Sequence, residues 1–251
     1  MLSILIPTYN YNIYPLVSKI HKQCLECRIE FEILVFDDGS KQFLVENEAI
    51  NCIENCCFKV LEKNIGRSAI RNLLAQKAKF EWLLFLDADV IPINSNFINT
   101  YIESTNLSHL VVLGGYQYEN RKPKEDYTLR YKYGKEREEK SSIERNSNPY
   151  QFVFSGNLLI QKNIFLATNY ANDNSFYGMD VYFAYHLFIK KIAVIHIENP
   201  IHHLGLESNI VFFEKSLKAV ESRKQFLMNC DQIEKISPLL KLYNKIKKYR
   251  L

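Results

Sequence analysis

The sequence predicts an α/β protein built on a Rossmann-like, mostly parallel sheet flanked by helices, with a helical C-terminal tail. Three observations predict it. Short apolar runs alternate with segments whose apolar residues recur at helical spacing. The runs are apolar throughout rather than at every second residue, as expected of strands buried on both faces. Three polar clusters, Thr8/Asn10, Asp37/Asp38 and Asp87/Asp89, each fall just past the end of such a run, where parallel sheets bind ligands.

In chain order, Leu2 to Pro7 reads as a buried strand cut by its proline and feeding a loop to Tyr14. Pro15 to Lys22 is helical, with Pro15 suited to a first turn. Phe31 to Phe36 is a second strand stopped by Asp37-Asp38-Gly39-Ser40, and Phe58 to Leu61 is a third. Gly66 to Lys79 is a helix with Ile70, Leu73, Leu74 and Ala78 on one face. Trp82 to Leu86 and Val111 to Leu113 complete the strands of the first half. Residues 119–149 are charged and poor in aliphatics, which suits a solvated helix or loop, or a mobile flap over a site. Apolar segments resume over 150–210. These breaks divide the chain into a domain at 1–210, with halves 1–115 and 116–210, and a basic amphipathic tail at 211–251.

Composition narrows the function. The net charge is +4, but the tail from 211 holds ten Lys/Arg against four Asp/Glu, which leaves the body slightly acidic. The body is therefore no nucleic-acid surface, and attraction to anionic lipid belongs to the tail. Its Phe212, Phe213, Leu217, Val220 and Phe226 recur at helical intervals and are expected to pack on the core. Lys241, Lys245, Lys247, Lys248 and Arg250 suit weak contact with a membrane. The N-terminus lacks a basic, then apolar, leader, and no run approaches the roughly 18–20 apolar residues of a span. The expected location is cytoplasmic, with peripheral contact on the inner membrane face. Cys24 and Cys27 form a C-x-x-C near Cys56 and Cys57, yet no second clean pair follows, so buried thiols are expected rather than zinc.

Asp87-Ala88-Asp89 carries the chemistry. In extended chain, residues two apart point the same way, so both carboxylates face one spot. Two like charges at the end of a buried strand repel, and desolvation adds to the cost. A divalent cation removes that cost, and oxygen ligands suit Mn²⁺ or Mg²⁺. Arg67 and Arg71 lie four apart on one helical face, where guanidinium groups can meet phosphate or base.

Ser3-Ile4-Leu5-Ile6-Pro7-Thr8-Tyr9-Asn10, Phe36-Asp37-Asp38-Gly39-Ser40, Asn64-Ile65-Gly66-Arg67-Ser68-Ala69-Ile70-Arg71-Asn72 and Phe85-Leu86-Asp87-Ala88-Asp89 follow one another in order. This ordered set resembles the motifs of bacterial-type family 2 glycosyltransferases with the GT-A fold. The resemblance implies an inverting transferase of hexosyl or N-acetylhexosaminyl groups, acting from a UDP-sugar donor on a glycan or lipid-linked acceptor. It implies that Pro7, Thr8 and Asn10 shape the nucleotide pocket, and that Asp37 or Asp38 accepts from uracil or ribose. Gly66 would let the backbone approach, and Arg71 would be the contact over Arg67. Asp89 would be the firmer metal ligand and Asp87 the softer.

Further along, Tyr177-Gly178-Met179-Asp180-Val181 resembles the family's G-E-D motif, which makes Asp180 the general base. Met179 replaces the usual acid, and Tyr182 stands where a second acid often follows. Phe154-Ser155-Gly156-Asn157 resembles the loop lining donor sugar and acceptor, and implies sugar contacts from Gly156 and Asn157. In Asn199-Pro200-Ile201-His202-His203-Leu204-Gly205, the resemblance gives His203 the metal or diphosphate role, with His202 second. Two other classes remain: a non-catalytic nucleotide-sugar-binding protein, and a nucleotidyltransferase. The latter wants a Gly-rich basic loop after the first strand, which Pro7-Thr8-Tyr9-Asn10 lacks.

Overall fold

The computed structural model describes residues 1–106, 109–121, 123–171 and 176–249. Arg250 of the tail lies outside them. Among the described residues the main sheet has seven strands in the order β3-β2-β1-β4-β8-β6-β9. These are β1 (Leu2–Thr8), β2 (Phe31–Asp37), β3 (Cys56–Val60), β4 (Trp82–Leu86), β6 (Val111–Leu113), β8 (Asn157–Gln161) and β9 (Ile195–His196). β8 runs antiparallel to β4 and β6, while the other neighbours pair in parallel. A three-stranded sheet, β5 (Val90–Pro92), β10 (Ile201–His203) and β7 (Tyr116–Gln117), stands at the edge where β4 ends.

Alternate residues of one strand feed two cores, which explains the continuous apolar runs. Ile4, Ile6, Ile33, Val35, Leu84 and Leu86 face α1 (Tyr14–Cys27) and α4 (Phe97–Thr105). Leu5, Leu34, Phe36, Leu83 and Phe85 face α3 (Arg67–Lys77), α7 (Lys162–Thr168) and α8 (Asp180–Ile189). A short α2 (Leu44–Glu48) follows β2. β1 continues through Pro7 to Thr8, beyond its expected end. Its pairing with β4 stops at Leu5↔Phe85, so the missing Pro7 N–H is not needed on that side.

The described residues of 119–149 are mostly exposed and largely helical, the solvated helix among the expected alternatives. They fold as α5 (Thr128–Tyr133), a π-turn at Gly134–Glu138 and α6 (Ser142–Ser147), and they bury two arginines. Arg130 donates to the Tyr118 hydroxyl at 2.9 Å and to Glu138 at 3.0 Å. Arg145, 1% exposed, donates to the carbonyls of Gly114 at 3.2 Å and Ile197 at 2.7 Å. Gly115, at φ +90°, is obliged to be glycine because a Cβ would strike the Arg145 guanidinium.

The tail forms α9 (Asn209–Leu227), capped by Ser208, and α10 (Pro238–Tyr249). Its packing meets the expectation in part, since Phe212 packs on Tyr133 and Phe226 on the core. Phe213, Leu217 and Val220 of the first part are exposed, whereas Leu227, Ile233, Ile236 and Leu240 farther on join the core. No helix among the described residues is long and apolar enough to cross a membrane. All six cysteines are free thiols; burial and neighbouring thiols push Cys24 up, and Cys56 up to about 12.

Candidate active site

The ends of β1, β2 and β4 and the start of β8 meet at one sheet edge. The loops after β1 and β2 are stitched together there. Ser40 N donates to Asp37 Oδ1 at 2.7 Å, Asn10 N donates to Ser40 Oγ at 2.6 Å, and Lys41 N donates to Asn10 Oδ1 at 3.0 Å. Asn10 takes a left-handed φ of 50°, which asparagine tolerates. Asp38 spends its carboxylate on the backbone N–H groups of Ile65 (2.7 Å) and Gly66 (3.0 Å), and so fixes the turn into α3. Burial raises the Asp38 pKa against those two hydrogen bonds, and Asp37 adds to the rise. Asp37 is fully buried, and its Oδ2 and Thr8 Oγ1 have no hydrogen-bond partner among the described residues. Asp37, Asp38 and Thr8 therefore shape the loops from inside.

Asp87 and Asp89 part company beyond β4. Arg71, one turn into α3, forms an ion pair with Asp87 and also donates to the Arg67 carbonyl at 3.1 Å. Burial works against the charge on Asp87, but Arg71, then Arg67 and His203, hold its carboxyl below the usual range. Asp89 is more open, with 31% of its side chain exposed, and faces His203 Nε2 at 3.7 Å. The His203 ring stacks on Tyr118 at 5.4 Å, so its direction is fixed. His202, next along β10, instead lines a hollow with Gln117 and Glu139. Among the described residues no group of three His, Cys, Asp or Glu is placed to hold a metal. Asp89 and His203 still fit a divalent cation that takes its remaining ligands from a diphosphate and water.

Two glycines keep the carboxylates in place. A Cβ at Gly156 would strike the Asp87 carboxylate and the Tyr116 hydroxyl, and one at Gly205 would strike Asp89. The close approach at Gly156 is thus to protein groups. Asn157 is 1% exposed and its amide is fully engaged: it donates to the carbonyls of Gly115 (2.8 Å) and Asn199 (3.1 Å) and accepts from Tyr101 (2.6 Å). It ties the two sheets together and presents no free group to a sugar.

Across the site, Asp180 opens α8 and accepts from Ser155 N at 3.2 Å. Gly178 (φ +73°) makes the preceding turn, and Met179 is buried as its N-cap. A cleft lies between Arg67, Arg71, Ser155, Phe176, Met179 and Asp180. Arg67 lies over the Tyr177 ring at 5.8 Å. Its crowded surroundings disfavour charge, but Asp87, Asp180, Tyr177 and Asp89 more than offset this and keep it protonated.

The site also holds residues that motif reading passes over. Tyr11 lies beside Asp89: burial first, then that charge, raises its phenol. Tyr116 and Tyr118 both border His203. Their spacing of two, at and just past the short β7, is the signal that could have marked them.

Residues 3–166 match the family described as Glycosyl transferase family 2. The chain belongs to that family. A relative from Haemophilus influenzae, described as an uncharacterized glycosyltransferase, is 34% identical over 36% of this chain and 29% of its own. Chondroitin synthase of Escherichia coli is 32% identical over 45% of this chain and 17% of its own. The chain thus spans less than a third of either relative. Among solved structures, S. aureus TarS superposes with a TM-score of 0.58 at 19% identity, covering 88% of this chain and 39% of that one. TarS 1-349 in complex with UDP-GlcNAc gives 0.54 at 19% identity, over 88% and 66%. The likeness shows the GT-A glycosyltransferase fold.

Proposed function

We propose that this chain transfers a hexosyl or N-acetylhexosaminyl group, with inversion, from a UDP-sugar to a hydroxyl of a glycan or lipid-linked acceptor. The observation that carries the reading is Arg67, whose charge is felt by Asp87 and Asp89 on one side and Asp180 on the other. Donor-side and acceptor-side carboxylates therefore lie around one arginine, which lines the cleft together with Asp180. The UDP-GlcNAc bound to TarS supports a nucleotide-sugar in it.

In this reading Asp89 and His203 would hold Mn²⁺ or Mg²⁺ beside the diphosphate. When bound, the cation supplies positive charge to the leaving group. Arg67 lies beside the same charge, while Arg71 keeps Asp87 ionised and turned away from its neighbour. The loop of Pro7, Thr8 and Asn10, braced by Asp37, Asp38 and Gly66, cradles the nucleoside. Asp180 Oδ2 accepts the acceptor proton, since Oδ1 is held by Ser155 N. Met179 and Gly156 line the acceptor and sugar side.

The test is D180N and D89N against UDP-sugars with Mn²⁺. D180N is expected to bind UDP normally and lose about 10²–10⁴-fold in transfer, the usual worth of a general base. D89N is expected to lose cation-dependent UDP binding. Near-normal transfer by D180N removes Asp180 as base, and transfer surviving EDTA removes the cation. UDP binding by the wild-type chain with no transfer to any acceptor favours the non-catalytic binding protein.

The tail supports peripheral membrane contact. Leu239, Leu242, Tyr243 and Ile246 of α10 are exposed along one side, with Lys241, Lys245 and Lys247 among them. Such a face suits an anionic lipid surface on the cytoplasmic side.

A further inference from the structure

Arg223 is a cation on α9, the helix packed against the turn that leads into Asp180, and the reaction above leaves it without work. It lies one turn beyond Ala219, and a Cβ built on Gly178 would stand only 2.9 Å from the Ala219 methyl. Gly178 leads through Met179 into Asp180, so α9 crosses the chain where the helix carrying Asp180 begins. Positions 219 and 223 share a helical face, which brings Arg223 to the same side of α9. The groups that face it are the phenol of Tyr133, from α5, and the carboxylate of Asp180. Tyr133 is itself locked against Phe212 of α9, with ring centres 5.3 Å apart.

Most other cations packed into the protein around this site are paired, and Arg67, which has no ion pair among the described residues, lies over the Tyr177 ring beside the charges of Asp87 and Asp180. Arg71 has Asp87, Arg130 has Glu138, Lys215 has Glu207, and Arg145 has two carbonyls. Among the described residues Arg223 has no ion pair or hydrogen bond, and its Nε is shut off from water. A guanidinium does not discharge in a protein, so a half-buried, unpartnered one is a standing cost. Burial pulls its pKa down, and only Tyr133 and Asp180 oppose that. An anion arriving from the cleft removes the cost, and the planar fork suits a carboxylate or phosphate.

We infer that Arg223 binds an acid group, a carboxylate or a phosphate, on the acceptor sugar whose hydroxyl meets Asp180. The inference rests on the reading of Asp180 as the acceptor-side base. An anionic acceptor entering without Arg223 would meet the repulsion of Asp180. With Arg223 in place, the same acceptor is held at a second point beyond the reacting hydroxyl.

The experiment uses the full chain with Mn²⁺ and UDP. Binding of methyl β-glucuronide, glucose 6-phosphate and methyl β-glucoside is followed by ligand-observed NMR, and UDP binding by calorimetry. One or both of the acid sugars should bind about tenfold more tightly than the neutral one, the usual worth of a charged hydrogen bond. The acid sugar preferred tells carboxylate from phosphate. R223Q should abolish the gap and leave UDP binding unchanged, while R223K, which keeps the charge, should retain most of it. Equal or undetectable binding of all three sugars by a chain that binds UDP overturns the acid-group role alone, as does a gap that survives R223Q. Failure of the wild-type chain to bind UDP removes the nucleotide-sugar reading, and this inference with it.

Discussion

Asp87 and Asp89 are the same residue two positions apart, and their neighbours give them different tasks. Asp87 is enclosed by partners: Arg71 on its carboxylate, the Gly156 carbonyl on its N–H at 3.1 Å, and Tyr116 nearby. Asp89 keeps an open oxygen toward His203. The Arg71–Asp87 pair is nearly dry, with side-chain exposures of 6% and 17%, so removing one partner strands the other. R71M is expected to cost about 3–5 kcal/mol, lowering Tm by roughly 10 °C in a chain of this size. The double variant R71M/D87N should recover a good part of that loss by removing the stranded charge. A double variant no more stable than R71M would show that the pair is not what holds this corner.

At the scale of elements, α10 carries a division of labour. Leu240 is buried in the core while Leu242 and Ile246 are exposed, so truncating the tail would unpack the protein. L242E/I246E spares the buried side and tests the outer one. Co-sedimentation with phosphatidylglycerol vesicles should fall at least several-fold in this variant and be weak for phosphatidylcholine. Equal sedimentation of wild type and variant discards the membrane role. The long strands and first helices could be read from the chain because their signal is local: unbroken apolar runs, helical spacing, a proline in a first turn. The burial within 119–149 could not, because it comes from distant partners. Arg145 is held by two main-chain carbonyls, Gly114 and Ile197, and sequence does not display which carbonyls lie free. The second sheet was equally silent, since β5, β7 and β10 are two or three residues long and too short for any period to show. In the site, the ordered motifs brought Asp87, Asp89, Arg71 and His203 to one place, but the engagement of Asp38 and Asn157 by backbone groups had no sequence signature.

For the molecule as a whole, His196 is expected to weaken the fold in acid. It lies on β9 at the far edge of the main sheet, with Nε2 2.9 Å from the Pro149 carbonyl and its N–H donating to Asn146 Oδ1 at 2.9 Å. Burial pushes its pKa from 6.5 down to about 4; the Pro149 carbonyl opposes the shift and Arg145 adds to it. The folded protein therefore binds this proton less readily than the unfolded chain. The stability contribution is full above pH 6.5 and is lost progressively as pH falls toward 4, to a total of about 3 kcal/mol. H196Q should be less stable at neutral pH but show a shallower decline over that window in denaturant titrations. Equal slopes for the two proteins would clear His196 of this role.

The reversal of β8 has a consequence for how such a site can change. Strands that run with the sheet deliver their loops to the site as they leave it, whereas β8 delivers its loop as it arrives, with Asn157 opposite Leu86. The chain between β7 and β8 is thus anchored at its last residues and, before them, at the buried Arg130 and Arg145, and only its exposed stretches are free to vary. Insertions or replacements there alter what the cleft meets without moving the register of β1, β2 or β4. One end of the reaction can be retuned while the other keeps its machinery.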